Sequence, residues 1–508
     1  MDTARPTRAG WRQWSGLALL SLPTMLLGLD VTALYLVVPD IAADLRPSAT
    51  QTLWIMDAYG FLIAGFLITM GTLGDRVGRR RLLMIGTVGF GAASVLAAFA
   101  PSAGLLIAAR ALLGVAGATL MPSTLSLISN MFADARQRAL AIGLWATMFA
   151  AGMAAGPVIG GVLVAGFWWG AVFLIAVPVA AGVLVLAPVL LPEYRAGGAD
   201  RLDPLSVGLS LAALLPAFYA LKHATADGLT VEVSAAALIA AAATIGFVRR
   251  QNRLRTPLLD LRLFGDRTFR TALAVLLVGL IGFGGVMYLV TQYLQLVDEL
   301  SPTTAGLWMG PPAAAMLLGA VGAPLLARRV SPGIIMAATL SLSLLGYLLL
   351  GLAGTDSRLS VIGGFAFVYL ALGVIAALGT DIVVSAAPPQ KSGSAASLSE
   401  TVQELGIAAG VAVLGSLTTA RYRGGVDSVP VDGGTTAAAY GDSLSGAAAV
   451  ADRLPEGALE HAKLVFTHGL NVSAAVAGLA TAAAAAACFL ALRRLPPLGA
   501  ADSSAGGG

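Results

Sequence analysis

Long apolar stretches, each long enough to cross a lipid bilayer as a helix, dominate this chain. A membrane-spanning helix needs about 20 mostly apolar residues, and fourteen stretches of the sequence meet that requirement. They are continuous rather than alternating and rich in Leu, Ala and Gly, which predicts helices rather than barrel strands. The chain is therefore predicted to be an all-α polytopic membrane protein. The stretches lie at about residues 14–38, 50–72, 81–99, 103–127, 139–164, 168–190, 203–222, 229–248, 269–293, 303–327, 332–352, 358–386, 394–420 and 464–492.

The amino-acid composition excludes the main soluble classes. Only 11% of the residues are charged and 57% are hydrophobic, whereas a soluble domain carries about 25% charged residues. An ordinary soluble enzyme and a disordered chain are excluded on this ground, and the single cysteine excludes a disulfide scaffold. Three histidines and one cysteine leave little for a metal or haem site, and the sequence has no Walker loop for ATP. We expect no metal and no cofactor.

The basic residues indicate how the spans are oriented. With the N-terminus placed inside, 23 of the 31 Lys and Arg residues fall on the cytoplasmic side and 7 fall outside, while Arg110 lies within a span. Basic residues favour the cytoplasmic side of a membrane, so we predict an even number of spans with both termini in the cytoplasm. This placement explains the net charge of +4 without a nucleic-acid partner. The Ala-, Gly- and Arg-rich composition is typical of a bacterial genome, so a bacterial plasma membrane is expected.

Ionisable side chains inside the apolar stretches are the main candidates for function. Each charge at the bilayer centre costs about 2.5–3.5 kcal/mol, although a residue near a helix end can instead reach water. Counting about 1.5 Å per residue places Asp30, Asp57 and Arg110 in one layer near the outer surface, where an aspartate and the arginine could pair. The whole set is Asp30, Asp57, Arg110, Asp381, Glu400 and Glu404.

A second layer of acids lies toward the inner ends of the spans. Asp381 is near the end of the twelfth stretch, and Glu400 and Glu404 follow in the thirteenth, one helical turn apart on one face. Desolvation favours the neutral form of a carboxyl, so a carboxyl within the bilayer can exchange protons near neutral pH. The same group attracts a cation. Competition between proton and cation for these acids is the minimum requirement for antiport, and we expect the six residues to serve proton coupling and cation binding.

A glycine- and arginine-rich segment joins the second and third stretches. Its acid lies at a helix end and its arginines face anionic headgroups. One interpretation is therefore that the segment only anchors the cytoplasmic face of the protein to the membrane. The full pattern resembles the cytoplasmic signature loop of the major facilitator superfamily, which implies that Asp75 and the arginines form a latch between two bundles. A second copy at residues 322–331 keeps its arginines but has no acid. The first copy contains Gly71, Asp75, Arg76, Gly78, Arg79 and Arg80.

The fifth stretch carries regularly spaced glycines and one proline. Glycines on one face permit close helix approach, and proline bends a helix, so a generic packing face is the simpler interpretation. The pattern resembles the antiporter signature of drug exporters in the same superfamily, which favours export over uptake. The matching residues are Gly143, Gly152, Gly156, Pro157, Gly160 and Gly161.

Further motifs resemble the fourteen-helix drug:proton antiporter branch of that superfamily. Arg110 with Gly114 resembles the signature whose arginine is implicated in proton coupling, and the segments around Asp30 and Asp57 resemble those associated with cationic substrates. The pair Glu400 and Glu404 resembles the acids of the thirteenth span. Asp381 fits the subgroup that exports quaternary ammonium compounds and methyl viologen.

The resemblance covers essentially the whole chain and implies its architecture. Two six-helix bundles, residues 1–192 and 269–494, would surround a midplane cavity, with a two-helix insert and cytoplasmic loop at 193–268. The stretch 421–463 is expected to be a flexible external loop, or else an amphipathic hairpin over the exit path, and 495–508 a disordered cytoplasmic tail. Six residues are candidates for the lining of this cavity, where aromatic rings could bind organic cations by cation–π contact. The alternative is that they only pack against neighbouring helices. They are Tyr35, Trp54, Tyr59, Tyr288, Gln292 and Trp308.

The expected function is that of a secondary active transporter, not an enzyme. We expect a multidrug efflux transporter that exports hydrophobic, cationic compounds in exchange for protons, working as a monomer in the lipid bilayer. An exporter of one natural product or metabolite on the same fold is the alternative. A membrane sensor or scaffold without transport is disfavoured, because it would need neither a latch nor a proton relay.

Overall fold

The computed structural model describes residues 9–47, 49–195, 203–226, 229–254, 257–388, 392–426, 429, 431 and 434–498, and everything said of the structure concerns these residues. They form helices and connecting segments, without strands. The first seven helices are α1 (Trp11–Leu45), α2 (Ala49–Val77), α3 (Arg79–Ala98), α4 (Ala103–Met131), α5 (Ala135–Gly166), α6 (Ala171–Leu174) and α7 (Ala176–Leu190). An inserted pair follows, α8 (Pro204–Ala226) and α9 (Val231–Gln251).

The second half of the chain is also helical. It comprises α10 (Arg267–Gln292), α11 (Pro302–Trp308), α12 (Gly310–Leu326), α13 (Pro332–Gly351), α14 (Arg358–Val374), α15 (Thr380–Ser385), α16 (Ser392–Val426), α17 (Gly434–Asp442), α18 (Leu444–Ala449) and α19 (Ala458–Leu492). Short 3-10 helices lie at Leu261–Gly265 and Ala451–Arg453, and π-helical turns at Tyr293–Val297 and Ile375–Gly379.

The fourteen predicted spans all correspond to helices of the structure. Thirteen of the described helices are long and apolar enough to cross a membrane, and the bent α5 makes up to fourteen. Its two arms, Ala135–Met153 and Val158–Val164, meet at 42°. The bend falls between these arms, beside Pro157, which has no backbone N–H to continue the helical hydrogen bonds. The predicted all-α polytopic fold class is confirmed.

Two separate hydrophobic cores hold the helices together. In the first, α1 packs along α5 and α2 along α4, with α3 and α7 completing the group. In the second, α10 packs along α16, α12 along α14 and α13 along α19. The inserted helices α8 and α9 pair with each other, and α8 also touches α2 and α16 through a small cluster around Phe61 and Phe218.

The inserted pair is tied back to the bundle by its own connecting segment. Gln251, at the end of α9, accepts hydrogen bonds from the backbone N–H groups of Leu258 (2.6 Å) and Leu259 (3.3 Å). The Leu258 carbonyl in turn accepts one from the Thr72 hydroxyl on α2 at 3.0 Å. At the start of α8, Asp203 forms an ion pair with Arg250, with its carboxylate oxygens 2.5 and 2.7 Å from two guanidinium nitrogens.

The stretch 421–463 is more structured than the flexible loop that the sequence suggested. Its described residues include α17, α18 and the ends of α16 and α19. The Tyr422 hydroxyl donates to the Tyr440 carbonyl at 2.9 Å, and the Tyr440 hydroxyl donates to the Ala458 carbonyl at 3.3 Å. Both rings are buried, so these helices are packed onto the bundle rather than extended away from it.

The expectation of a disordered tail from residue 495 also needs correction. Leu498 lies between the two halves: its backbone N–H donates to the Ala327 carbonyl at 2.8 Å, and its carbonyl accepts from Arg136 Nε at 2.7 Å. Residues 495–498 are therefore held in place, while the rest of the predicted tail lies outside the described residues.

Candidate functional site

A buried ion pair joins the first and fourth helices. Arg110 Nη1 on α4 contacts Asp30 Oδ2 on α1, and both side chains are almost fully buried. Arg110 Nε also donates to the Ile55 carbonyl on α2 at 3.1 Å. Depth counting along the sequence anticipated that Asp30 and Arg110 share a layer, and the structure brings them into contact. Their partnership offsets part of the cost of placing two charges in an apolar core.

The Arg110 guanidinium also lies over an aromatic ring. Its central carbon is 4.6 Å from the centre of the Tyr59 ring on α2, a cation–π geometry. The Tyr59 side chain is buried, and its hydroxyl has no hydrogen-bond partner among the described residues. Three helices thus meet around one arginine.

A pocket between the two cores contains the two glutamates of α16. Glu400 and Glu404 line it together with Gln403, whose amide nitrogen donates to Glu400 Oε1 at 3.2 Å. Glu400 and Glu404 lie one turn apart and close enough to interact electrostatically. None of the described lining residues is basic. The pocket therefore combines acidic groups with an otherwise apolar wall.

Aromatic and methionine side chains from both halves form that apolar wall. Trp145 on α5 donates from its indole Nε1 to the Thr124 hydroxyl at 3.0 Å, which fixes its orientation. Phe283 and Tyr369 meet edge to face, with ring centres 5.0 Å apart. The remaining aromatic and sulfur-containing lining residues are Phe149, Met121, Met153 and Met316.

The aromatic pocket candidates chosen from the sequence lie elsewhere in the structure. Trp54 and Tyr288 are about two-fifths exposed, Trp308 lies beneath Arg358 with 5.7 Å between the guanidinium carbon and the ring centre, and Tyr59 is under Arg110. Gln292 is partly buried beside Tyr288. None of these is among the described residues that line the pocket. The side chains of Tyr35, Asp57 and Pro157 lie outside the described residues.

Asp381 is not among the described residues that line the pocket, and it connects the two halves. Its Oδ1 atom is 2.7 Å from Arg138 Nε on α5, and the same guanidinium donates to the Ser385 hydroxyl at 3.0 Å. The π-helical turn Ile375–Gly379 immediately precedes this segment. Sequence reasoning counted Arg138 only as a basic loop residue, because nothing local indicates that an acid more than 240 positions away faces it.

The signature segment folds into two helix ends with one residue between them. Gly78 alone is non-helical and has φ = 117°, a conformation that favours glycine. Asp75 Oδ1 accepts from Arg79 Nε at 2.9 Å, and the backbone N–H of Ser394 at the start of α16 also faces the Asp75 carboxylate. We call the end of the bundle that contains residues 71–81 the signature-loop end.

Other members of the signature segment contact the end of α7. Arg80 donates from Nη1 to the Leu191 carbonyl at 3.0 Å, and its backbone N–H donates to Glu193 at 3.2 Å. Gly71 is buried within α2, and Arg76 is partly buried in its last turn. The segment therefore holds its own half together through α7 and reaches the other half through Asp75.

The glycines of α5 allow backbone contact with two other helices. A Cβ atom at Gly152 or Gly156 would collide with Met25 or Thr32 of α1, and one at Gly143 would collide with the Ala320 carbonyl of α12. Gly160 also packs against α1, with a would-be Cβ 3.3 Å from the Ala33 carbonyl. Gly161 is partly buried on the same helix.

At the proline bend of α5, a hydroxyl from α1 supplies the hydrogen bond that the helix lacks. Pro157 cannot donate the backbone hydrogen bond that the Met153 carbonyl would receive in a regular helix. The Thr32 hydroxyl donates to that carbonyl at 2.8 Å instead. Thr32 lies two residues after Asp30, so the helix that carries the buried acid also provides the hydrogen bond to the Met153 carbonyl at the bend. The sequence analysis missed this role, although threonine facing a proline-bent helix is a recognisable signal.

Two helical bundles with buried charges and an acidic pocket between them define a polytopic membrane transporter. The described residues contain no group of three potential metal ligands. The sequence profile of the Major Facilitator Superfamily matches residues 20–411, and the chain belongs to this family.

Two of the proteins similar to this chain are named for drug efflux or drug resistance. The multidrug efflux pump LfrA of Mycolicibacterium smegmatis is 44% identical over 97% of this chain and 99% of its own length. The methyl viologen resistance protein SmvA of Salmonella typhimurium is 33% identical over 92% of this chain and 96% of its own length. The crystal structure of the human organic anion transporter MFSD10 covers 92% of this chain and 99% of its own chain, with a TM-score of 0.61 at 15% identity. That likeness supports the fold alone.

Proposed function

We propose that this protein is a multidrug efflux transporter that exports hydrophobic cations in exchange for protons. The observation that carries the proposal is the pocket between the two cores. It presents Glu400 and Glu404 on one wall and aromatic side chains such as Trp145 and Tyr369 on the others, without a basic residue among its described lining. Acidic groups and aromatic faces are the two features that bind lipophilic cations.

The relatives support export as the direction of transport and drugs as the class of cargo. Two full-length relatives are named for multidrug efflux and for resistance to methyl viologen, a cationic compound. The glycines and the proline of the bent helix α5 match the antiporter pattern that distinguishes exporters. A proton that neutralises either pocket glutamate would weaken the attraction for a bound cation, so proton entry and cation release would compete for one site.

The proposed orientation places the signature-loop end in the cytoplasm of a bacterial plasma membrane, with both termini inside. At this end Arg138 with Asp381 joins the halves directly, Leu498 bridges Arg136 and Ala327, and Thr72 holds the connecting segment at Leu258. We take this arrangement to be closed toward the cytoplasm, with Asp75 at the start of α16 as part of the latch. Separation of these contacts would open the pocket to cytoplasmic drug. The working unit is proposed to be a monomer.

Ethidium efflux from cells or purified protein in liposomes tests the proposal. Wild type is expected to export ethidium in a manner abolished by a proton uncoupler. Glu404→Gln keeps the shape of the side chain and removes its charge, and we expect it to lower ethidium affinity by about tenfold or more, the equivalent of ~1.4 kcal/mol.

A remote acid provides the matched control. Glu460→Gln removes a surface partner of Lys463 far along the sequence from the pocket, and it is expected to leave efflux unchanged. Efflux that continues unaltered in the presence of the uncoupler would contradict proton coupling. Transport of neutral compounds only, with no cation moved at any pH, would contradict the cargo class and favour a specific metabolite exporter.

A further inference from the structure

A second cavity lies between α16 and α19, and none of its described lining residues belongs to the acidic pocket. Its volume of about 460 Å³ falls within the roughly 300–1,000 Å³ range of small-molecule sites. Arg421 of α16 lines it together with His461 and His468 of α19, and no acid is among the described lining residues. The cavity therefore offers N–H donors and positive charge, which suit an anion rather than the proposed cationic cargo.

One face of each helix forms the walls of this cavity. The lining residues of α19 follow the spacing i, i+3, i+4, i+7 and i+11, which places them on one face. They are His461, Leu464, Val465, His468 and Val472. On α16, a Cβ atom at Gly425 would lie 2.8 Å from the Val465 side chain, whereas one at Gly424 would meet none of the described atoms within 4 Å. The helices are thus in contact at Gly425, and the cavity is open beside Gly424.

The basic groups of the cavity are held in place and are not neutralised by the acids around them. The Gly425 carbonyl accepts a hydrogen bond from His461 Nε2 at 3.2 Å, which orients that ring between the two helices. Two acids of this end of the bundle are engaged with other cations: Asp442 with Arg423, and Glu460 with Lys463. The permanent charge of the Arg421 guanidinium therefore gives the cavity a positive character.

Helix lengths place the cavity at the level of lipid headgroups. α16 begins at the signature-loop end, where Ser394 faces the signature segment, and Arg421 follows 27 residues later, after about 40 Å of helix. α19 ends at the signature-loop end, shortly before Leu498, and His468 lies 24 residues before its last residue, or about 36 Å away. A bilayer is about 40–45 Å thick including its headgroups. The cavity therefore lies in the headgroup layer of the leaflet opposite the signature-loop end.

We propose that this cavity binds the phosphate headgroup of an anionic phospholipid from that leaflet. The planar guanidinium of Arg421 suits two phosphate oxygens, and an imidazole N–H adds a further donor. A lipid fits better than a free phosphate ion, because the face of α19 that carries His468 continues toward the membrane centre with Val472, Val476 and Leu479, the last two exposed. An acyl chain would lie along these residues while the headgroup bridges α16 and α19. The inference goes beyond the proposed transport and does not depend on cargo or proton coupling.

Titration of the purified full-length protein in detergent with two lipids tests the proposal. Dioleoyl phosphatidylglycerol is anionic and dioleoyl phosphatidylcholine is zwitterionic, and native mass spectrometry counts the bound molecules of each. Wild type is expected to bind one phosphatidylglycerol at least about tenfold more tightly than phosphatidylcholine, as charge-assisted hydrogen bonds provide. The double variant Arg421→Gln with His468→Gln is expected to lose this preference. Gly424→Leu, which fills the open part of the cavity and keeps every charge, is expected to lose it as well.

A neighbouring arginine provides the matched control. Arg423→Gln removes an equal charge two residues further along α16, from a side chain that pairs with Asp442 and is not among the described lining residues, and it is expected to keep the preference. An equal loss in Arg423→Gln would indicate diffuse surface charge and overturn the site, as would an unchanged preference in the double variant. Displacement of the lipid by millimolar inorganic phosphate would overturn the lipid in favour of a free anion. If the double variant does not fold, as judged by its unfolding midpoint without lipid, Gly424→Leu alone decides the question.

Discussion

Single side chains in this protein satisfy the backbone where a helix departs from regular geometry. The Met153 carbonyl lacks its usual partner because Pro157 has no N–H, and the Thr32 hydroxyl donates to it at 2.8 Å. We expect Thr32→Val to destabilise the protein by ~1–3 kcal/mol, since it leaves that carbonyl unsatisfied without changing the shape of the side chain. Thr32→Ser keeps the hydroxyl and is the control. The midpoint of unfolding in sodium dodecyl sulfate measures both, and equal midpoints for Val and Ser would show that the hydroxyl does not stabilise the bend.

Charged residues were easier to predict from the sequence than the residues that line the pocket. Asp30 and Arg110 could be paired by counting residues from the span ends, because depth in a membrane follows directly from helical rise. Trp145 and Tyr369 could not be identified in this way. Their place in the pocket depends on how each helix is rotated and tilted against its neighbours, which apolar spans that are hydrophobic on every side do not encode.

The element that the sequence described least well is the inserted helix pair. Its two spans were correctly predicted, but not the ion pair between Asp203 and Arg250 or the contact of Gln251 with the segment at residues 258–259. Asp203 and Arg250 are 47 residues apart, and Gln251 with its partners lies in a segment that looks like an ordinary polar connection. Similarly, α17 and α18 were taken for a loop because they are only nine and six residues long and contain glycine, and tertiary contacts such as Tyr422 with Tyr440 help to decide their structure.

The ion pair at the base of the inserted helices makes their contribution to the stability of the fold depend on pH. Hydrogen bonds from Arg250 and from Ser206 hold the pKa of the Asp203 carboxyl well below its usual range. The folded state therefore binds this proton less readily than the unfolded state, and the stabilisation is complete above the unfolded pKa of about 3.9. It is lost as the pH falls through the lower pKa of the folded state.

Comparison of wild type with Asp203→Asn isolates this contribution. We expect wild type to be more stable than the variant at neutral pH, and the difference to shrink as the pH is lowered from 5 toward 2, that is, from about one unit above the unfolded pKa to well below it. Unfolding midpoints in sodium dodecyl sulfate at each pH provide the measurement. Asp298→Asn, which breaks a different ion pair with Arg358, controls for a general effect of removing a carboxylate. A difference that stays constant over this range would argue against a lowered pKa at Asp203.

At the scale of the whole molecule, one place where the two halves pack against each other is the contact of α5 with α12. Gly143 has no room for a side chain there, because a Cβ atom would collide with the Ala320 carbonyl. We expect Gly143→Ala to disfavour the present arrangement by ~1–3 kcal/mol, as overpacking does in a close-packed interior. Ion pairs such as Arg138 with Asp381 lie toward the same end, so the strain would be relieved by separation of the halves at the signature-loop end.

Spin labels on opposite halves can measure that separation. Cysteines in place of the exposed Arg81 and Arg328, in a Cys488→Ser background, would report the distance between the halves at the signature-loop end. Gly143→Ala is expected to shift the distance distribution toward longer values, with the ratio of open to closed molecules rising by about tenfold for each 1.4 kcal/mol of strain. Gly182→Ala is the control, since none of the described atoms lies within 4 Å of a Cβ at that position. An unchanged distribution in Gly143→Ala would mean that the contact between α5 and α12 does not hold the molecule closed at this end, and that the polar contacts alone do so.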